Sequence, residues 1–233
     1  MSGSMTSDPS SSGRGVATRI AAGCIRLVTL AAVLVLSACG AKQVVVQGEF
    51  PQPLISKQPL ALGVFYPEEF RSHEFFDEAK GRKDSDWLVK TGDAQVNMWN
   101  TLFNGMFERV ELLEEAPSKD APEPDVDAVL IPRVDELQYA IPTHTNIKVY
   151  EIWMRYAFAL NAPDGATIAE WTMTAYGKTP TAFLQSDEAA VNAAAVVALR
   201  DAGAHFATQF PNVPDVASWL QSRNQVITAE AAQ

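Results

Sequence analysis

An apolar stretch near the amino terminus, Leu27–Leu36, constrains this chain more than any other feature. Its ten residues are apolar or small, and Arg14, Arg19 and Arg26 precede it with no acidic residue between Arg14 and Cys39. A helix of ten residues is about 15 Å long, roughly half a bilayer core, and is too short to cross a membrane. A core helix followed by a polar linker would have nothing to pack on. The pattern therefore predicts a secretory signal peptide.

The stretch ends in Leu36-Ser37-Ala38-Cys39, which resembles the lipobox of bacterial lipoproteins. The resemblance implies transfer of a diacylglyceryl group to the Cys39 thiol, cleavage between Ala38 and Cys39, and acylation of the new amino terminus. Gly40 follows the cysteine where an aspartate would imply retention in the inner membrane of enteric-type bacteria. Gly40 thus implies the periplasmic side of the outer membrane, and the inner membrane stays open because the sorting rule varies between lineages.

The composition of the processed chain excludes several classes of partner and chemistry. Residues 39–233 carry 15 Lys and Arg against 27 Asp and Glu, a formal charge of −12. This charge disfavours nucleic acids and anionic lipid headgroups, because both require cations that neutralise phosphate. Cys24 lies in the predicted signal peptide and Cys39 is the lipidation site, so no thiol remains for a disulfide, a nucleophile or a thiolate metal site.

Four segments follow from these features. Residues 1–38 are predicted as the signal peptide, 39–59 as the lipidated cysteine and a flexible tether, 60–222 as one periplasmic domain, and 223–233 as a frayed tail. The tether contains three prolines and no helical period. Its Val44-Val45-Val46 could also pair as a short edge strand. The charged segment 67–86 is predicted as a solvated loop anchored by phenylalanines, with a lid or partner-binding loop as the alternative.

The periodicity of residues 60–222 predicts an α+β fold. Apolar spacings of three and four residues after Asp93, the expected cap, predict a helix that packs through Trp99, Phe103 and Phe107. A second helix is predicted from Ser186 to about Gln209, and a short one after Asp215. Strands are predicted at Leu60–Tyr66, Arg109–Leu113, Asp127–Ala140, Lys148–Leu160 and Ala166–Tyr176, with Pro132 marking an edge or a bulge. We therefore expect a four- to five-stranded, mainly antiparallel sheet with two or three helices on one face.

The strand at 148–160 predicts a candidate partner face. Every second residue on one side is apolar, from Ile152 to Leu160, and this side should receive the helices. The other side carries Trp153 and Arg155, and we expect the next strand of the hairpin to add Trp171. Aromatic residues beside arginine are enriched at protein interfaces, although the glutamate also present is depleted there. The alternative is that tether or loop segments cover this face.

The remaining polar residues predict no catalytic residue, no metal ligand and no cofactor. His73, His144 and His205 lie far apart, and no hydrolase, zinc-protease or nucleotide-binding motif is present. Asp84-Ser85-Asp86 and Asp125-Val126-Asp127 resemble fragments of calcium loops, but neither continues with the glycine and distal glutamate of an EF-hand. A catalytic group assembled from distant residues stays open at this point.

The lipobox, the proline-containing tether and the order of elements are similar to those of small envelope lipoproteins. These are the YajG-like lipoproteins, the penicillin-binding-protein activator LpoB and the amino-terminal domain of TolB. The resemblance implies a non-enzymatic domain, held on a lipid bilayer through acylated Cys39, that binds or helps to assemble another envelope protein. Two alternatives remain. A lipid or glycan carrier would show an enclosed apolar cavity or an aromatic groove, whereas an envelope hydrolase would show titratable groups with shifted pKa values in a cleft.

Overall fold

Two sheets and a layer of helices organise the fold. The computed structural model describes residues 41–77, 86–120, 122–140, 149–180 and 186–231. The strands are β1 Lys42–Val45, β2 Gln58–Phe65, β3 Glu74–Asp77, β4 Trp87–Lys90, β5 Phe107–Leu113, β6 Ala128–Ala140, β7 Val149–Asn161 and β8 Thr167–Pro180. The helices are α1 Glu68–Arg71, α2 Gly92–Met106, α3 Asp187–Gln209 and α4 Pro214–Ala231, with a 3-10 turn at Phe210–Asn212.

The larger sheet has five strands in the order β5-β2-β6-β7-β8. The long ladders β6–β7 and β7–β8 are antiparallel, whereas β2 lies parallel to both β5 and β6. The predicted α+β class, with a mainly antiparallel sheet and helices packed on it, is confirmed. A second sheet of three strands, in the order β1-β4-β3, adds to this arrangement and was not predicted.

The core lies between the larger sheet and helices α2 and α3. On β7 the predicted apolar side, from Ile152 to Leu160, is buried at every second residue. Trp99 of α2 is fully buried, with its ring 5.3–5.4 Å from those of Tyr156, Phe158 and Phe206. The helix prediction is thus confirmed for Trp99 and Phe103, whereas Phe107 is buried as the first residue of β5 and not on the helix. Helix α2 begins at Gly92, and Asp93 lies in its first turn rather than at the cap.

Helix α3 begins where the sequence predicts. The Ser186 hydroxyl accepts a hydrogen bond from the Ala189 N–H at 3.2 Å, which satisfies one of the free donors of the first turn. Its alanines allow close approach to the sheet: a Cβ on Gly177 of β8 would lie 2.1 Å from the Ala194 carbonyl oxygen. Residues 223–231, predicted as a frayed tail, instead continue α4.

Pro132 lies inside β6 where the strand has a paired neighbour, β7, on one side only. Its missing N–H therefore costs no hydrogen bond to β2. Strand β2 pairs with β6 only from Ala128 to Leu130, so Pro132 lies beyond that ladder. The bulge comes slightly later, between Val134 and Glu136. Pro132 thus lies where β6 has an open edge toward β2, and the bulge follows two residues later in the same strand.

The segment predicted as a flexible tether is docked from residue 42 to residue 53, which corrects that prediction. Val44 and Val46 are buried, and β1 pairs in parallel with β4. Gln47 and Asn192 exchange two hydrogen bonds of 2.8 and 3.1 Å. Apolar side chains at alternating positions supply the burial that holds this segment on the domain. We call residues 46–53, which continue from β1 along α3, the strap.

The charged segment 67–86 is ordered over its described part. It forms α1 and β3, with Phe70 buried and the Phe75 ring 6.0 Å from that of Tyr139. The aromatic anchoring predicted for this segment is therefore observed, but on a helix and a strand rather than on a loop. Residues 78–85, with Asp84 and Ser85, lie outside the described residues.

Candidate functional site

The larger sheet presents a polar face on the side away from α2 and α3. Directly opposite residues on antiparallel strands point to the same face, so the pairings of β6, β7 and β8 define its members. Trp153 pairs with Gln138 and Tyr176, and Arg155 pairs with Glu136 and Thr174. We call these side chains, together with Glu151, the outer face.

Trp153 is the most prominent side chain of the outer face. It is 48% exposed, and its ring centroid lies 4.3 Å from that of Tyr176 on the neighbouring strand. The Tyr176 hydroxyl donates a hydrogen bond of 2.8 Å to the Glu151 carboxylate. This hydrogen bond raises the pKa of the Tyr176 phenol. It also restrains the ring beside the indole. The two rings form an exposed, pre-positioned aromatic surface.

Arg155 lies beside the indole and is held by two acids of β6. Its guanidinium is 3.2 Å from the Glu136 carboxylate and 3.9 Å from that of Asp135. The bulge between Val134 and Glu136 brings both consecutive acids within reach of one arginine. Exposed pairs of this kind contribute only about 0–1 kcal/mol to stability, so the arrangement orients the guanidinium more than it stabilises the fold.

A small hollow of about 160 Å³ opens between these side chains. It is lined by Glu136, Gln138, Trp153, Met154, Arg155 and Thr174. Pockets for small molecules usually enclose about 300–1,000 Å³. A hollow of this size accepts one side chain of a partner, flanked by an aromatic ring, a guanidinium and a carboxylate.

Trp171 does not belong to this face, which corrects the predicted set of Trp153, Arg155 and Trp171. Trp171 pairs with Phe158, and the two rings stack with centroids 5.2 Å apart. It also lies 6.0 Å from Phe206 and 6.2 Å from Phe210, and its indole Nε1 is buried. Trp171 therefore packs on the helix side. The alternation of β8 did separate Trp171 from Tyr176, so the missed residue Tyr176 was visible in the pattern of Thr172, Thr174 and Tyr176.

A second hollow, of about 250 Å³, lies between the strap and helices α2 and α3. Its walls are mainly apolar: Phe50, Pro51, Gln52, Pro53, Met98, Leu102, Arg200, Gly203, Ala204 and Ala207. The Arg200 guanidinium donates a 2.8 Å hydrogen bond to the Glu49 carbonyl and so fastens the strap beside this opening. We call this opening the apolar hollow.

The two described histidines make structural contacts. His73 Nδ1 lies 2.7 Å from the Thr91 hydroxyl, and burial lowers the pKa of the imidazole against a smaller opposing effect of Glu74. His205 contacts the Thr174 carbonyl at 3.1 Å and the Asp201 carboxylate at 3.7 Å. Among the residues described, no three His, Cys, Asp or Glu side chains are grouped as metal ligands would be. His144, Ala38 and Cys39 lie outside the described residues.

The described helices were compared with the length and apolar character that a membrane span requires. None of them is both long enough and apolar enough to span a bilayer.

Comparison with solved structures found chains of low sequence identity to this one. A Xanthomonas campestris protein of the family DUF330 is 16% identical, covers 78% of this chain and 99% of its own, and has a TM-score of 0.50. The two chains are similar in fold. A Helicobacter pylori protein described as a neuraminyllactose-binding hemagglutinin homolog is 11% identical over 77% of this chain and 100% of its own, with a TM-score of 0.43.

A minor lipoprotein from Acinetobacter baumannii is 13% identical over 67% of this chain and 92% of its own, with a TM-score of 0.33. No family model and no curated protein matches the sequence. At 16% identity the similarity to the Xanthomonas campestris protein concerns the fold alone, and the function has to be argued from the residues of this chain.

Proposed function

We propose that this chain is a lipoprotein whose periplasmic domain binds another envelope protein through the outer face, without catalysing a reaction. The lipobox at Leu36–Cys39 supports the anchor, with Cys39 acylated and the domain on the periplasmic side of the outer membrane. The inner membrane is the alternative location. The observation that carries the binding role is the exposed Trp153 ring, held against Tyr176 on an open sheet face.

The chemistry of the outer face fits a protein partner. Protein interfaces concentrate aromatic rings and arginine at a well-packed centre, with a polar rim around it. Trp153, Tyr176 and Arg155 supply that centre, while Glu136, Gln138 and Glu151 supply a rim of carboxylates and an amide. The Arg155 guanidinium is already paired with Glu136, so a partner gains most by covering the rings.

The apolar hollow favours a second candidate function, a carrier of lipid or another apolar ligand. Its walls offer Phe50, Met98 and Leu102 to an apolar group. At about 250 Å³ it is below the usual range for a whole small molecule, so it would hold only part of an acyl chain.

The hydrolase alternative needs titratable groups with shifted pKa values in a cleft. Within the described residues, burial raises the pKa values of Tyr66 and Tyr156 in the core. The other shifted pKa values belong to His73, Tyr176 and Glu188, which lie on different elements of the fold.

Site-specific cross-linking in intact envelopes tests the main proposal. A photoreactive residue at Gln138 or at Thr174 should give the same adduct, because both positions flank Trp153. The matched control is Leu112 on β5, which is 58% exposed and lies on another strand. Adducts at Leu112 that equal those at Gln138 and Thr174 would show that the outer face is not the binding surface.

A further inference from the structure

The point at which the chain enters the folded domain is fixed by several contacts of Lys42. The Lys42 N–H donates a 2.7 Å hydrogen bond to the Asp86 carbonyl, and β1 continues in register with β4 from Trp87 onward. The Lys42 ammonium lies 3.3 Å from the Asp187 carboxylate and 3.6 Å from that of Glu188. It also lies 4.9 Å from the centroid of the Trp87 ring. Lys42 is therefore part of the domain and not of a tether.

Only Gly40 and Ala41 separate this fixed residue from Cys39. Three peptide steps reach at most about 11 Å. If Cys39 carries the lipid, as proposed above, the amide of Lys42 is held within that distance of the anchored residue. A lipoprotein with a free tether of twenty residues would reach roughly 70 Å instead.

The same contacts identify which end of the domain lies near the anchor. The Tyr150 hydroxyl at the start of β7 donates a hydrogen bond to Asp187, which also binds Lys42. The β7–β8 turn, with Gly165 at a positive φ of 86°, lies at the opposite end of these strands. Twelve residue steps of β7 separate Val149 from Asn161, about 40 Å.

We propose that the end of the domain formed by β1, the first residues of β7 and the first turn of α3 lies against the lipid headgroups. This inference rests on the proposed acylation of Cys39. The strands of the larger sheet then rise from the bilayer, with the β7–β8 turn on the far side. Trp153 lies four residues into β7, about 13 Å along the strand from Val149. Trp153 of the outer face thus lies nearer the bilayer than the β7–β8 turn does, and a partner must meet it on the half of the sheet that is nearer the membrane.

The charge at this end of the domain favours attachment to the bilayer through acyl chains over electrostatic attraction to anionic headgroups. Lys42 is matched by Asp187 and Glu188, so the cluster carries an excess of negative charge. Lys178 of β8 lies opposite Glu151 of β7 near the same end, and this pair adds no net charge that would attract anionic headgroups. The acyl chains supply the binding, while the short connection supplies the orientation.

Energy transfer to labelled headgroups tests the orientation. The processed chain, residues 39–233, is coupled through Cys39 to a maleimide phospholipid in phosphatidylcholine vesicles that contain an acceptor-labelled lipid. A donor dye is attached through a clickable residue at exposed Lys178, near the anchored end, or at exposed Asp164 in the far turn. Because roughly 40 Å separates these positions, transfer from position 178 should exceed transfer from position 164 by about threefold or more.

A matched variant has fifteen glycine and serine residues inserted between Gly40 and Ala41. The inserted segment behaves as a coil of about 20 Å, so the two transfer efficiencies should approach each other. Equal transfer from positions 178 and 164 in the uninserted chain, or greater transfer from position 164, overturns the orientation. Because the lipid is attached chemically, this result does not depend on acylation in cells. A failure of Cys39 acylation in cells would overturn the proposed anchor separately.

Discussion

The indole of Trp153 lies against the phenol ring of Tyr176 across the β7–β8 pair, with the ring centroids 4.3 Å apart. The two residues are directly opposite in the ladder, and the Tyr176 hydroxyl is held by Glu151. Little conformational freedom therefore remains to be lost when a partner covers these rings. This pre-positioning is the physical basis for assigning binding to the outer face.

Truncation of the exposed ring should weaken binding without unfolding the domain. In Trp153→Ala the loss falls on a half-exposed side chain, so the melting temperature should stay within a few degrees of wild type. Cross-linking from Gln138 should fall by about tenfold or more, as for a central aromatic contact at an interface. Thermal unfolding and adduct yield measured on the same variant check both parts. Unchanged adduct yield would move the interface to another surface.

Truncation of Trp171, in contrast, should lower the stability of the domain. Its ring stacks on Phe158 and contacts Phe206 and Phe210, so Trp171→Ala should destabilise the domain by about 3 kcal/mol. Trp171→Phe is the matched control, because it keeps an aromatic ring and removes a buried Nε1 that has no hydrogen-bond partner among the described residues. Chemical denaturation should show a large loss for alanine and a small one for phenylalanine. Similar losses in both variants would contradict this packing.

Helix α2 should depend on Phe103. The side chain is fully buried and its ring lies 5.3 Å from that of Phe206, so Phe103→Ala should cost about 3–5 kcal/mol. Phe76, which is 55% exposed, provides the control, and Phe76→Ala should change stability by less than about 0.5 kcal/mol. The free energies of unfolding in urea measure both. A loss at Phe103 no larger than at Phe76 would mean that α2 does not pack through this ring.

Acid should loosen β1. The backbone N–H of Glu188 in the first turn of α3, followed by the Ser186 hydroxyl and the Lys42 ammonium, lowers the pKa of the Glu188 carboxyl against the opposing effect of burial. The folded chain therefore binds fewer protons at this site than the unfolded chain. This stabilisation is present at neutral pH and is lost as the pH falls from the unfolded pKa through the folded one.

Hydrogen exchange at the amides of Lys42 and Val46, which are bonded to Asp86 and Lys90, reports this loosening. The protection of these two amides from exchange, measured relative to the amides of the β7–β8 ladder, should decrease as the pH falls. Glu188→Gln should remove part of that pH dependence. A pH profile identical in wild type and Glu188→Gln would show that the carboxylate does not hold β1.

The anchor prediction concerns Cys39 alone. Cys39→Ser removes the thiol that would accept the diacylglyceryl group, so palmitate labelling and lipoprotein-type processing should disappear. Each buried methylene of an acyl chain contributes about 0.8 kcal/mol, so the variant should lose the attachment that the acyl chains supply. Cys24→Ser is the control and should keep both the label and the fractionation. Palmitate uptake by Cys39→Ser would contradict the assignment.

Local patterns in the sequence determined the parts of the fold that depend on neighbouring residues. The alternation of β7 identified its buried side, because successive side chains of a strand point to opposite faces. Ser186 and the acids after it identified the start of α3, because a cap and the helix dipole act within one turn. The charge and the short apolar stretch at Leu27–Leu36 likewise need no tertiary information.

Only the tertiary structure decided the features that depend on pairing between distant segments. The alternation of β8 separated Trp171 from Tyr176, but the hairpin register assigned Trp171 to the side that packs on the helices and Tyr176 to the outer face. A register shift of one residue between strands exchanges their faces, and the shift between Leu160 and Asn161 is not visible in the alternation. The docking of β1 depends on β4 and α3, which follow it by tens of residues. Its valines alone fit either an edge strand or a tether, because their burial requires a surface that only the folded chain provides.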